Sequence, residues 1–137
     1  MKILLDADVL IDVALARPNF VENSDCLLRQ IESGASEAGV AWHSLSNLSY
    51  LTGKKARGFI RDLVQFVEVP KTGMNEILVA LNLPIKDFED ALQAAIALSF
   101  GASYVVSRNL RHYRKSPVPA ISPREFLAKF SMATSPM

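Results

Sequence analysis

The sequence predicts an α/β domain of three layers, with a mainly parallel sheet of about five strands at its centre. Three observations carry that expectation. Short apolar runs of strand length alternate with longer stretches whose apolar residues recur at helical spacing. Each run is apolar nearly throughout, as a strand covered on both faces must be. The chain has 137 residues, half of them hydrophobic, enough for one domain with a sizeable core.

In chain order, Lys2, Ile3, Leu4 and Leu5 make the first strand, followed by helices over 8–15 and 23–33. Cys26 falls within the apolar pattern of the second helix and reads as a small core residue. A strand over 39–42 leads into helices over 44–54 and 58–65, and a strand over 66–69 into a helix over 74–81. The most regular helix covers 87–100, with Phe88, Ala91, Leu92, Ala95, Ile96 and Ser99 as its core stripe. Strands over 103–107 and, more weakly, 118–121 come next. Ser122 as N-cap and Pro123 at the first helical position then start a last helix, whose Phe126, Leu127 and Phe130 are spaced to dock on the sheet. Residues 131–137 carry no periodic pattern and read as a loose tail, so the domain spans 1–130.

Composition narrows the function. Fifteen Lys and Arg against fourteen Asp and Glu leave a formal charge of +1, too little for a uniform polyanion coat or an acidic solvating segment. No apolar run reaches the roughly 20 residues of a spanning helix, so no membrane partner is expected. Asp6, Asp8 and Asp12 interrupt the first apolar run, which reads as structure and not as a leader. One cysteine excludes an internal disulfide, and with no Cys/His cluster around it argues against zinc; a cytoplasmic setting is expected.

The acids are more informative by place than by number. Asp6 follows the first strand directly and Asp8 lies two residues on, beyond the carboxyl end where open α/β sheets bind ligands. Either residue also suits an N-cap, Asp8 better than Asp6. A second cluster, Asp87, Glu89 and Asp90, heads the 87–100 helix, with Asp87 and Asp90 one turn apart on one face. The helix dipole favours carboxylates there, yet neighbours of one sign repel, an arrangement that a divalent cation between them and Asp6 would relieve. Oxygen donors of this kind suit Mg²⁺ or Mn²⁺ and a phosphodiester substrate.

Past the late strand, Ser107 and Asn109 occupy a similar place, inside the run Arg108, Asn109, Leu110, Arg111, His112, Tyr113, Arg114, Lys115. Arg108, Arg111, Arg114 and Lys115 are candidate phosphate contacts. Lys54, Lys55, Arg57 and Arg61 form a second basic segment, which reads equally as a solvated helix face. His43, at a strand end beside Trp42, reads as a packed or capping residue and not as a base. Ser44 and Asn47 have the spacing of a capping box with Asn in the acid's place.

Three segments in this order, Leu4 to Asp12, Asp87 to Ala95, and Tyr104 to Asn109, resemble the PIN domain, the ribonuclease fold of many VapC-type toxins. The resemblance runs from about residue 2 to residue 128. It implies an acid pocket binding Mg²⁺ or Mn²⁺, with Asp6 and Asp90 as principal ligands, Asp87 and Asp8 in support, and Asn109 with Ser107 at the fourth corner. It also implies RNA as substrate, a homodimer, and an antitoxin protein that masks the pocket. The sequence departs from the family pattern where Asn47 stands in place of an inward Glu, where Asn109 stands in place of Asp, and where His112-Tyr113 replaces Asp-Phe. An amide can ligate or orient water but brings no charge.

The leading expectation is therefore a metal-dependent endoribonuclease, the toxin half of a toxin-antitoxin pair. The alternative is a degenerate PIN-like module that binds RNA or protein without cutting. A receiver-like or phosphatase domain phosphorylated on Asp6 is a third, disfavoured because its site needs a Lys after a late strand, where this chain has Arg108-Asn109.

Overall fold

The computed structural model describes residues 1–130, so the expected tail lies outside the described residues. Its centre is a parallel sheet of four strands, β1 (Lys2–Leu5), β2 (Glu37–Val40), β3 (Tyr104–Val106) and β4 (Ala120–Ile121), in the order β2-β1-β3-β4. Seven helices complete the α/β fold among the described residues: α1 (Ala7–Ala14), α2 (Val21–Glu32), α3 (Trp42–Thr52), α4 (Ala56–Leu63), α5 (Met74–Asn82), α6 (Phe88–Phe100) and α7 (Pro123–Phe130). Short 3-10 turns cover Gly53–Lys55 and Leu110–Tyr113. No described helix is long and apolar enough to cross a membrane.

The strand period explains the layers. Side chains alternate between faces, so Ile3 and Leu5 of β1 and Val106 of β3 enter one core with Leu10, Leu27, Ile31, Leu48, Leu63 and Phe126. Leu4 and Val105 point the other way, against Ile96, Ala97, Phe100 and Tyr113. Helix α5 lies outside α6, joined through Ala80, Ala91 and Ala95. Their small side chains allow the two helices a close approach.

Several expectations need correction. The segment 66–69 contributes one bridge, Gly39 to Glu68, and no fifth strand. Two hydrogen bonds hold it, Val40 N–H to the Glu68 carbonyl and Glu68 N–H to the Ala38 carbonyl, both 2.9 Å. Pro70, two residues on, has no N–H with which to extend the ladder. Strand β2 begins earlier than expected because it pairs residue for residue with β1, from Lys2 opposite Glu37 to Leu5 opposite Val40. Ala41 then caps α3, so Ser44 lies inside that helix, and the capping box expected with Asn47 does not form.

Cys26 is exposed, because the buried stripe of α2 runs through Ser24, Leu27, Leu28 and Ile31. On α6, Phe88 and Ser99 face outward, while Gln93, Ala94, Ala97 and Phe100 join the buried set. Covered by the sheet on one side and by α5 on the other, this helix buries a wider arc than a single stripe.

Candidate active site

The carboxyl ends of the two central strands, β1 and β3, deliver Asp6 and Ser107 side by side. Asp6 N–H donates to the Val106 carbonyl at 2.9 Å, and Ser107 N–H to the Ile121 carbonyl at 3.0 Å, so continuing sheet bonds fix both residues. Asp6, and not Asp8, caps α1: its Oδ1 accepts from the Ala7 N–H at 2.7 Å. Its Oδ2 accepts from Ser107 Oγ and from the Tyr113 hydroxyl, each at 2.9 Å.

Asp8 lies in the first turn of α1. Its Oδ2 accepts from the Arg108 N–H at 3.0 Å, from Asn109 Nδ2 at 3.1 Å and from Ser107 Oγ at 3.2 Å. The single hydroxyl proton of Ser107 cannot serve both carboxylates at once. Asp8 Oδ1 is buried and has no hydrogen-bond partner among the described residues. Burial first, then the Asp6 charge, push the Asp8 carboxyl up to about 6, against the opposing pull of Arg108 and Ser107.

Asp90, in the first turn of α6, reaches the same place from the opposite face of the sheet. Burial, with the charges of Asp87, Asp6 and Glu89, pushes it up to about 6, while His112 pulls it down from 3.3 Å, Nδ1 to Oδ2. One turn further along, the buried Gln93 side chain donates Nε2–H to the Leu5 carbonyl at 3.3 Å and ties α6 to the end of β1. Asp87 is the N-cap of α6, its Oδ1 accepting from the Glu89 N–H at 2.7 Å.

A cavity of about 440 Å³ gathers Asp6, Asp8, Asn47, Asp87, Asp90 and Asn109, with Glu89, His112 and Tyr50 also on its wall. Beside it, a groove of about 610 Å³ is lined by Lys86, Arg111, Arg114 and Lys115 and shares Asp87, Asp90 and His112 with the first. Three of the four candidate phosphate contacts therefore line one groove. The fourth does not join them. Arg108 turns its guanidinium onto the fully buried Asp12, Nε to Oδ2 at 2.5 Å and Nη2 to Oδ1 at 3.1 Å, and lies 4.0 Å from the centre of the Phe20 ring.

A PIN domain model matches residues 2–111. The chain belongs to the PIN domain family. Among solved structures, this PIN domain is similar to VapBC2 from Rickettsia felis bound to a DNA fragment from its promoter, at 15% identity and a TM-score of 0.66, covering 89% of this chain and 98% of that one. It is also similar to FitAcB from Neisseria gonorrhoeae, at 16% and 0.63, covering 89% and 98%. FitAB bound to an IR36 DNA fragment matches at 13% and 0.62, covering 88% and 94%. No curated protein sequence matches the chain.

The family implies a divalent metal, and the donor chemistry of the cavity fits one: its carboxylates and amides offer oxygens, one carboxylate oxygen is buried without a partner among the described residues, and two carboxyls are raised first by burial and then by neighbouring charge. No three His, Cys, Asp or Glu side chains converge as a metal-holding group among the described residues.

Sequence reasoning missed Tyr113, Asp12 and Gln93. Tyr113 stands out in the sequence only as part of the departure from the family's Asp-Phe pair, with no sign of its contact to Asp6. Asp12, four residues from Asp8 amid apolar neighbours, was the available sign of a buried pair. His43 is half-buried in the first turn of α3; burial lowers its pKa, and its Nδ1 is buried with no partner among the described residues.

Proposed function

We propose that this PIN domain is a metal-dependent endoribonuclease that hydrolyses RNA phosphodiesters, working as the toxin of a toxin-antitoxin pair. The observation that carries the reading is an acid cavity at the strand ends opening into a groove lined by four basic side chains. A phosphate backbone bound by Lys86, Arg111, Arg114 and Lys115 is led to carboxylates that would repel it without a cation.

Asp6 and Asp90 would hold Mg²⁺ or Mn²⁺, with Asp8 and Asp87 adding charge. The chemistry such an ion supplies is polarisation of a phosphoryl oxygen and stabilisation of charge on the leaving oxygen. The remaining work falls to the chain itself. Ser107 and Tyr113 hold Asp6 Oδ2 in one orientation, and Tyr113, buried and facing three carboxylates, keeps its proton, its pKa raised by burial and then by Asp6. Asn109 steadies Asp8, and Asn47 offers a neutral amide to water or a phosphate oxygen. The likeness to VapBC2 and FitAB supports an antitoxin protein as partner; a homodimer rests on the family resemblance alone.

A second reading, RNA or protein binding without cleavage, is favoured by the amides at 47 and 109 and by the lack of a three-carboxylate group among the described residues. One experiment separates the two. The first reading expects cleavage of single-stranded RNA with Mn²⁺ or Mg²⁺, lost in Asp6→Ala and in Asp90→Asn; the second variant leaves the α1 cap intact. Cleavage that persists in EDTA would refute the metal reading. RNA binding without cleavage and without thermal stabilisation at millimolar Mn²⁺ would favour the binding module instead.

A further inference from the structure

We propose that a hollow between the α1–α2 loop and the starts of α2 and α7 is a second subsite, holding one nucleotide of single-stranded RNA beside the acid cavity. The choice of polymer rests on the ribonuclease reading. The hollow measures about 430 Å³ and is lined by Asn19, Phe20, Asn23, Ser24, Arg108 and Arg124 with Ser122 and Pro123, and by no carboxylate.

Ser24 is 1% exposed, and its Oγ has no partner among the described residues. A buried hydroxyl that finds no protein partner and lines a ligand-sized space is a group awaiting one. Asp12 occupies Nε and Nη2 of Arg108 and no acceptor for Nη1 appears among the described residues. Arg17 approaches the same carboxylate at 3.6 Å, so one acid faces two guanidiniums and positive charge is left over. Arg124 is exposed and makes no ion pair among the described residues. It is the second residue of α7, whose N-terminus also favours an anion.

The remaining lining distinguishes a nucleotide from a plain anion. Phe20 is 40% exposed, its ring next to the Arg108 guanidinium, and it offers flat apolar surface to a base. Two asparagine amides supply the donor and acceptor pairs that base edges use. An acidic peptide needs only the arginines. Arg108 lines both this hollow and the acid cavity, so a strand passing over Asp6 and Asp8 enters the hollow next.

The test is fluorescence anisotropy with a labelled single-stranded oligoribonucleotide of about eight nucleotides, in EDTA so that binding is read without cleavage. Arg124→Gln and Asn23→Ala are expected to weaken binding about tenfold. Arg124→Gln should also lower the slope of log affinity against log salt by about 0.7, one phosphate contact. Lys129→Gln, a neutralised charge elsewhere on α7, should leave affinity unchanged. Equal affinity for all variants, an equal loss in Lys129→Gln, or no binding of the oligonucleotide overturns the subsite. So does a Glu-rich peptide that binds wild type, is lost in Arg124→Gln, and is not displaced by RNA. Cleavage is measured separately with Mn²⁺, so wild type that binds as expected but never cuts removes the ribonuclease reading and leaves the subsite standing.

Discussion

Asp12 and Arg108 give the most direct test of how the site is held. Asp12 is 0% exposed and Arg108 is a quarter exposed, and two hydrogen bonds join them. Removing one partner of a buried pair costs about 3–5 kcal/mol, because the other is left charged without compensation. The two halves differ. In Asp12→Ala, Arg108 keeps its contact with Phe20 and part of its access to water, which sets a loss of about 3 kcal/mol. In Arg108→Ala, the carboxylate stays buried with Arg17 alone at 3.6 Å, and the loss rises toward about 5 kcal/mol. For 137 residues the unfolding entropy is roughly 0.3 kcal/mol/K, so Asp12→Ala should lower Tm by about 10 °C. Thermal and urea unfolding of both single variants and the double variant close the cycle, with the double variant expected to lose less than the sum. Strict additivity, or a fall in Tm under about 3 °C, would show that the pair is not a buried interaction.

Other outcomes follow from the site and its supports. Asp8 and Asp90 titrate near 6 in the folded chain against 3.8 when unfolded, so between about pH 4 and pH 6 the folded state holds protons that the unfolded state has released. Metal-free stability, measured relative to Asp8→Asn, should therefore fall as pH rises through that window and level off above it; a rise would contradict the assignment. Mn²⁺ competes with those protons, so its increase in Tm should be larger at pH 7.5 than at pH 5. At Gly39, an added Cβ meets Phe100 Cε2 at 2.8 Å and Pro70 Cγ at 3.1 Å, so Gly39→Ala should cost about 1–3 kcal/mol in urea unfolding, with Phe100→Leu restoring part of it. Asn109→Asp should lower the metal-free Tm and enlarge the Mn²⁺ response, and Asp8→Asn in the same chain should reverse the first effect.

What was legible in the sequence was whatever depends on local order. Strand β1, helices α1 and α6, and the placement of acids after strands followed from apolar period and from the rule that α/β sheets bind at their carboxyl ends. Pairing was less legible, because register belongs to two segments at once: β2 moved to match β1, and Glu68 formed one bridge instead of a strand. Least legible was the partner of each polar group. Whether Arg108 faces solvent or Asp12, 96 residues away, depends on the sheet that brings β1 beside β3. Tyr113 reaches Asp6 across 107 residues for the same reason.

Asn109, one of the two amides that set this chain apart from an all-acid pocket, is better understood with Asp8 than alone. Asn109 Nδ2 donates to Asp8 Oδ2 at 3.1 Å, and the Arg108 N–H donates to the same oxygen. A carboxylate at 109 would lose the donor and set a like charge at that distance, where even at a surface dielectric the repulsion is several kcal/mol. An aliphatic side chain at 8 would in turn leave the Asn109 amide without its acceptor. The extra acid at 8 and the missing acid at 109 are therefore one exchange. It moves one carboxylate's charge from the loop after β3 to the first turn of α1, where the helix N-terminus helps to hold it, and does not offset the charge absent at Asn47.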